Sequence, residues 1–305
     1  MDVRRAFGAL VIVQVLYALL PAAGKTVFLD MDPVAMTSLR VLGAASVYVA
    51  LHIAAGRPWP RRAEWTGVGL LAVLGIVVNM LLFAIGLQWT HPVNATLIIT
   101  IIPVATYLTA VVLGRETIGP RRLGGILLAL SGAVYLIGLS GFEADRQSMV
   151  GDILIFVNAV SFSVYLVFSK SWAERHGAHA LTAWLFVAAS ILFLPLAILT
   201  GAPDQLATAR PATWGWMAFI VLGPTVGAYL LNNEAIRHVT SSTVAVFIYL
   251  QTPVSALAAW LILDTLPSPR IIPAALLILA GVGIVARFRD QAPATPRPAP
   301  GSPPV

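Results

Sequence analysis

The chain has 305 residues, of which 58% are apolar and only 10% charged, with a formal charge of +6. A soluble domain carries about 25% charged residues, so this chain could not cover a water-facing surface, and its apolar content equally excludes a disordered chain. What remains is a polytopic membrane protein, and the absence of cysteine removes disulfides, cysteine-ligated zinc, iron–sulfur clusters and thiol nucleophiles.

A helix that crosses the hydrocarbon needs about 20 mostly apolar residues. Ten runs meet this: 6–23, 34–54, 66–87, 92–113, 121–139, 151–170, 180–200, 213–233, 240–262 and 270–287. No run shows the strict alternation of a barrel strand, so helices are the spanning form. The first run follows Arg4 and Arg5 and ends in Ala22-Ala23, which resembles a cleavable leader. Its removal would leave an odd number of spans and spoil the repeat described below, so it reads as the first span.

Polar residues inside the runs are few, and lipid-facing amides are costly, so they are expected to turn inward. In the first run Gln14, Tyr17 and Pro21 share one helical face. The second run holds Arg40 about two turns from its start, where it can snorkel to the outer interface or serve in gating or substrate contact. The third supplies Asn79, and residues 88–91 join it to the fourth in a tight hairpin. The fourth supplies Thr96, Thr100, Tyr107 and a mid-span Pro103. The sixth repeats the spacing of the first with Asn158, Ser161 and Tyr165. The eighth offers Tyr229, Asn232 and Asn233, and the ninth Tyr249, Gln251, Thr252 and a mid-span Pro253.

Interhelical hydrogen bonding would account for any one of these residues. As a set they predict a polar-lined pathway made of Gln14, Tyr17, Arg40, Asn79, Thr100, Tyr107, Asn158, Tyr165, Tyr229, Asn232, Tyr249 and Gln251. Pro103 and Pro253 each remove a backbone hydrogen bond and are expected to kink their helices. Lys25 and Lys170 end the first and sixth runs and read as interface anchors, and Glu234 is expected to pair with Arg237. His91 and His238 lie in connections. Gly223 and Gly227 suggest close helix packing, and Trp59, Trp65, Trp89, Trp172 and Trp214 an aromatic belt.

The lysines and arginines set the orientation. With the N-terminus in the cytoplasm, fourteen lie in or beside inner segments and four (Lys25, Arg146, Arg210 and Arg270) in outer ones; with Arg40 these account for all 19. Both termini are then cytoplasmic in a multi-pass protein of the inner membrane. The same bias explains the basic pI, so no nucleic-acid partner is read from it.

An internal repeat is visible at a shift of 150. Thr90, Ala95, Ile98, Pro103, Val104 and Leu113 recur as Thr240, Ala245, Ile248, Pro253, Val254 and Leu263. After a one-residue slip, Pro120, Arg121, Leu127, Leu128, Leu130 and Gly132 recur as Pro269, Arg270, Leu276, Leu277, Leu279 and Gly281. An odd number of spans per half turns the second half upside down. The predicted fold is therefore an all-α integral membrane protein, with ten transmembrane helices as two inverted five-helix repeats. The repeats occupy 1–140 and 141–290, and a disordered Pro-rich cytoplasmic tail occupies 291–305.

This arrangement resembles the EamA-type branch of the drug/metabolite transporter superfamily. The resemblance is carried by Ile-Ile-Pro-Val-Ala and Leu-Gly-Arg-Glu-Thr-Ile-Gly-Pro-Arg-Arg-Leu-Gly-Gly within 101–125, by the second copy within 251–270, and by Arg40 in Thr-Ser-Leu-Arg-Val-Leu. The second copy departs from the pattern at Asp264, which has no glycine before it. The resemblance implies a small-molecule transporter and not an enzyme.

With no P-loop the expected energy source is secondary. No metal-ligand set or cofactor motif is present, and no His-Glu-x-x-His. Ser161 and Ser163 have no His or Lys partner at matching depth, which weighs against an intramembrane lipid-acting enzyme. Tyr, Asn and Gln suit a neutral or zwitterionic solute, so export of amino acids or related metabolites is preferred over phosphosugars, nucleotide sugars or drugs. The expected assembly is a monomer or weak homodimer.

Overall fold

The structure, a computed structural model, describes residues 2–90, 92–138, 148–263 and 269–287. His91, Arg146, Asp264 and the tail 291–305 fall outside the described residues, as do the side chains of Pro21 and Lys25. Ten long helices occupy the ten apolar runs: α1 Val3–Val27, α2 Pro33–Ala54, α3 Arg62–Trp89, α4 Asn94–Val112, α5 Pro120–Ile137, α6 Ser148–His176, α7 Ala178–Leu199, α8 Pro211–Ile236, α9 Ser241–Ala258 and α10 Ile271–Arg287. Among the described residues nine are long and apolar enough to span a bilayer, and the tenth, α10, is a shorter apolar helix. With all ten crossing, the five helices of each repeat enter the membrane in opposite senses.

Local chemistry sets the helix ends. Asp2 caps α1 by accepting from the Arg5 N–H at 2.8 Å, and Asp32 caps α2 ahead of Pro33. Pro120 and Pro211 open α5 and α8 in the first turn, where no backbone donor is lost. Gly114 (φ 65°) and Gly177 (φ 81°) take a positive φ that residues with a Cβ rarely adopt, and the helices α4 and α6 stop there.

Packing between the repeats follows a two-fold pattern. α1 lies against α8 and α9, and α6, its counterpart, lies against α3 and α4. α2 pairs with α7, and α5 with α10. Each contact maps onto another, or onto itself, when every helix is exchanged for its partner in the other half.

The α5–α10 seam is the tightest. A Cβ on Gly281 would fall 2.5 Å from the Gly125 carbonyl oxygen, and one on Gly125 would fall 3.0 Å from the Gly281 carbonyl. Small residues let two backbones meet where lipid offers no hydrophobic gain. At Gly223 and Gly227 the approach is less close: a Cβ would stand 3.4 and 3.8 Å from the Leu16 side chain of α1, and at Gly227 3.3 Å from the Leu222 carbonyl of its own helix.

Both expected prolines sit beside interruptions. α4 breaks at Thr100 and Ile101, two residues before Pro103. α9 tightens to a 3-10 turn at Phe247–Leu250, ending three residues before Pro253. A proline cannot bond to the carbonyl four residues back, so the regular α ladder is interrupted in the turn ahead of it. Two further irregularities were not among the expectations, although Pro224 lies inside the second of them. α3 widens to a π turn at Val73–Val77 and α8 does so at Val221–Gly227, in equivalent helices of the two halves. A π turn inserts an extra residue, leaves carbonyls for other partners, and is frequent at functional sites.

Candidate functional site

The π turns organise the centre of the protein. Gly75, inside the first, offers its carbonyl to the Tyr229 hydroxyl at 3.0 Å. Val226, inside the second, accepts from the Tyr48 hydroxyl at 2.5 Å. Each widened turn is thus held by a tyrosine from the other repeat. Ser161 donates to the Leu74 carbonyl at 2.9 Å, and Asn158 to the Asn79 carbonyl at 2.5 Å, which ties α6 to the same stretch of α3. The Tyr165 hydroxyl donates to Asn233 at 2.9 Å, and the Asn233 amide donates to Thr182 at 2.9 Å. Aromatic contacts close the group: Tyr17 meets Tyr229 edge-on at 6.3 Å, and Phe186 contacts both Tyr229 and Tyr48.

The predicted pathway residues divide by what their polar atoms do. Gln14 and Gln251 bond each other at 2.6 Å across the α1–α9 seam. Tyr249 donates to the Thr100 carbonyl at 2.9 Å, filling the break in α4, while the Thr100 hydroxyl turns back to Leu97. Tyr165, Tyr229 and Asn158 are committed as described above. Tyr107 belongs elsewhere: its hydroxyl accepts from the Gly119 N–H at 2.9 Å and props the turn that leads into α5. Tyr17, Asn79 and Asn232 make no side-chain hydrogen bond among the described residues, and none of their polar atoms is sealed from water. These three, with Arg40, are the groups left available to a solute.

Arg40 does not snorkel. It is 7% exposed and its Nε donates to Thr225 at 2.6 Å, inside the second π turn. It points inward because it lies on the buried stripe of α2: Arg40, Ala44, Tyr48 and His52 follow at intervals of four and all are buried. Tyr48 was missing from the sequence-based set, and that stripe was the signal that could have found it. Lys170 also departs from expectation. Its Nζ donates to the Ile236 and Val239 carbonyls at 2.9 and 2.7 Å, so it satisfies the end of α8 and is no headgroup anchor. Glu234 pairs with Arg237 at 2.8 Å as expected.

Opposite ends of the bundle are closed by different chemistry. At one end the α4–α5 connection meets the start of α9. Glu116 and Arg122 form an ion pair at 3.0 Å, with side chains only 4% and 1% exposed. The Glu116 carboxylate accepts from the Ser242 N–H at 3.1 Å and from its hydroxyl at 2.5 Å, at the positive end of α9. Arg122 donates to Thr240 and to Thr243, the latter at 2.9 Å. Thr90, the repeat partner of Thr240, meets a carboxylate where Thr240 meets a guanidinium: it and Asn94 both donate to Asp152 of α6.

At the other end the α1–α2 connection reaches α8. Asp30 accepts from Arg210 at 2.9 Å and from the Thr213 hydroxyl. These bonds hold the Asp30 carboxyl below the usual aspartate range, Thr213 contributing most and Arg210 next. The contribution to stability is complete above about pH 4 and drains away as pH falls through the lowered folded value. Asp30→Asn is therefore expected to flatten the acid limb of thermal stability below about pH 4 in detergent. An unchanged limb would show that this contact adds nothing.

Comparison with known proteins agrees with this architecture. The model of the EamA-like transporter family matches residues 5–138 and 149–287. A protein of Archaeoglobus fulgidus named as an uncharacterized transporter is 26% identical over 276 residues, covering 88% of this chain and 94% of the relative. A protein of Streptantibioticus cattleyicolor named "probable terminal-alkyne amino-acid exporter" is 29% identical over 291 residues, covering 94% and 95%. A solved crystal structure superposes with a TM-score of 0.75 at 21% identity over 93% of this chain and 96% of its own, which speaks to fold alone. With both halves matched by one family model, the chain belongs to the EamA-like transporter family and is a multi-pass membrane transporter of small molecules.

Proposed function

We propose that this transporter is a secondary carrier that exports amino acids or related neutral and zwitterionic metabolites across the cytoplasmic membrane by alternating access. The observation that carries the reading is the central group, in which π turns of equivalent helices are held by tyrosines of the opposite repeat. Tyr17, Arg40, Asn79 and Asn232 bring polar groups there or to neighbouring turns that no helix contact uses. Two halves related in this way can exchange which end is open while the solute stays between them. The repeats 1–140 and 141–290 are the moving halves. Glu116 with Arg122 closes the cytoplasmic end, and Asp30 with Arg210 and Thr213 the outer end. The excess of lysine and arginine on the Glu116 side supports placing both termini in the cytoplasm. The exporter name of the Streptantibioticus relative supports the choice of amino acids.

The test is counterflow by purified protein in liposomes, with labelled amino acids and neutral metabolites against an unlabelled internal pool. Saturable accumulation is expected, and Tyr17→Phe should reduce kcat/KM about 5–10-fold, the worth of one hydrogen bond to an uncharged group. Absence of counterflow across the panel by folded protein would overturn the amino-acid reading.

A further inference from the structure

We propose that the Arg40 guanidinium is the anchor for a substrate carboxylate, so that the solute is a monocarboxylate-bearing compound. This deepens the amino-acid reading and rests on it for the transported class. The argument begins with an imbalance of charge. Arg40 lies seven residues into α2, about 10 Å along its axis from Pro33, and is 7% exposed. A guanidinium is always charged and presents five N–H donors. Among the described residues only the Nε donor is used, toward Thr225. No carboxylate among them lies within ion-pair distance. The titratable groups that face Arg40 are the phenols of Tyr17 and Tyr229, both uncharged at neutral pH.

A buried cation without a counter-ion is costly and is retained where something else supplies the negative charge. The remaining donors are also reachable. The Nη groups of Arg40 have no partner, yet they are not walled in as the Nε of Arg122 is. They are the fork that a carboxylate fits with two parallel hydrogen bonds. The Tyr17 hydroxyl is likewise without a partner among the described residues, while the Tyr229 hydroxyl is already committed to Gly75. The rings of Tyr17, Tyr229 and Phe186 contact one another in the same central group. A single fixed positive charge balances one carboxylate; a phosphate ester or nucleotide would bring more negative charge than one guanidinium neutralises.

Matched acid and amide pairs separate this role from a structural one, because the amide keeps the shape and loses the charge. Two readouts are needed. The first is ligand-induced thermal stabilisation of purified protein by leucine against leucinamide, phenylalanine against phenylalaninamide, and benzoate against benzamide. The second is counterflow in liposomes with the same amino-acid pairs. Wild-type protein is expected to prefer acid over amide by ~100-fold or more, the scale on which a site with committed polar groups rejects an analogue that leaves them unpaired. Arg40→Gln should bring that ratio close to one. Arg40→Lys should restore part of it, because it keeps the charge but not the fork. Thr225→Val removes the structural bond of Nε and should leave the ratio intact.

Equal handling of acid and amide by wild-type protein, or an unchanged ratio in Arg40→Gln, would overturn the proposal while leaving amino-acid transport standing. Arg40-dependent stabilisation by carboxylates without amino-acid counterflow would overturn the transported class and uphold the anchor. No stabilisation by any acid in the panel, together with no counterflow, would overturn both.

Discussion

Arg122→Ala is expected to cost about 3–5 kcal/mol of stability, the range seen when one partner of a buried ion pair is removed. The reason is what it leaves behind. Glu116 is buried, and its carboxylate is held by Arg122 and by the N–H and hydroxyl of Ser242. Without Arg122 its charge has only those neutral donors, and Thr240 and Thr243 lose a shared donor. The cluster joins the α4–α5 connection of the first repeat to the start of α9 in the second, so the loss falls on the contact between halves. The check is a double-mutant cycle on purified protein in detergent, followed by thermal or chemical unfolding. Glu116→Gln/Arg122→Met removes both charges and should recover at least half of the loss, because no uncompensated charge remains. If Arg122→Ala costs under about 1 kcal/mol, the pair behaves as a surface contact and its burial carries no energetic weight.

This cluster also shows where sequence reading stopped. Glu116 and Arg122 lie in a charged connection between apolar runs, and nothing local separates a solvated turn from a buried one. Their partner Ser242 is 126 residues away from Glu116. The helices themselves were legible, because a bilayer demands about 20 apolar residues per crossing and punctuates them with Pro, Gly and charge. The Glu234–Arg237 pair was legible for a similar reason, being fixed by spacing on one helix. The central tyrosines Tyr17, Tyr165 and Tyr229 could be named because polar groups in lipid must turn inward.

What each tyrosine does there could not be read. The division between Tyr229, bonded to a carbonyl, and Tyr17, left open, depends on the π turns of α3 and α8. The π turn of α3 is a packing outcome, its Gly75 carbonyl met by the hydroxyl that Tyr229 of α8 donates, whereas the π turn of α8 contains Pro224, which has no N–H to give the helix ladder. The same limit applies to Arg40. Its distance from the end of α2 suggested snorkelling, yet its direction is set by the stripe it shares with Tyr48 and His52 against α7 and α8.

Gly75→Ala is the sharpest probe of that arrangement. A Cβ at Gly75 would stand 2.3 Å from Cδ2 and 2.6 Å from Cγ of Tyr165. Cγ is the root of the ring, so the side chain cannot swing away at its tip; the ring or the backbone of α3 must move. Tyr165 is fully buried and its hydroxyl is bonded to Asn233, which is in turn bonded to Thr182. Any displacement strains that chain and the Gly75 carbonyl that receives Tyr229. Overpacking of this kind costs about 1–3 kcal/mol, and transport should fall further than stability because the π turn itself is displaced. Gly8 and Gly283 are the controls: a Cβ there meets nothing within 4 Å. In those helices an alanine should be neutral or stabilise by up to about 1 kcal/mol. Unfolding midpoints and counterflow rates for the three variants decide the matter. If Gly75→Ala keeps wild-type transport while folded, the π turn of α3 is a packing detail and the central group does not depend on its geometry.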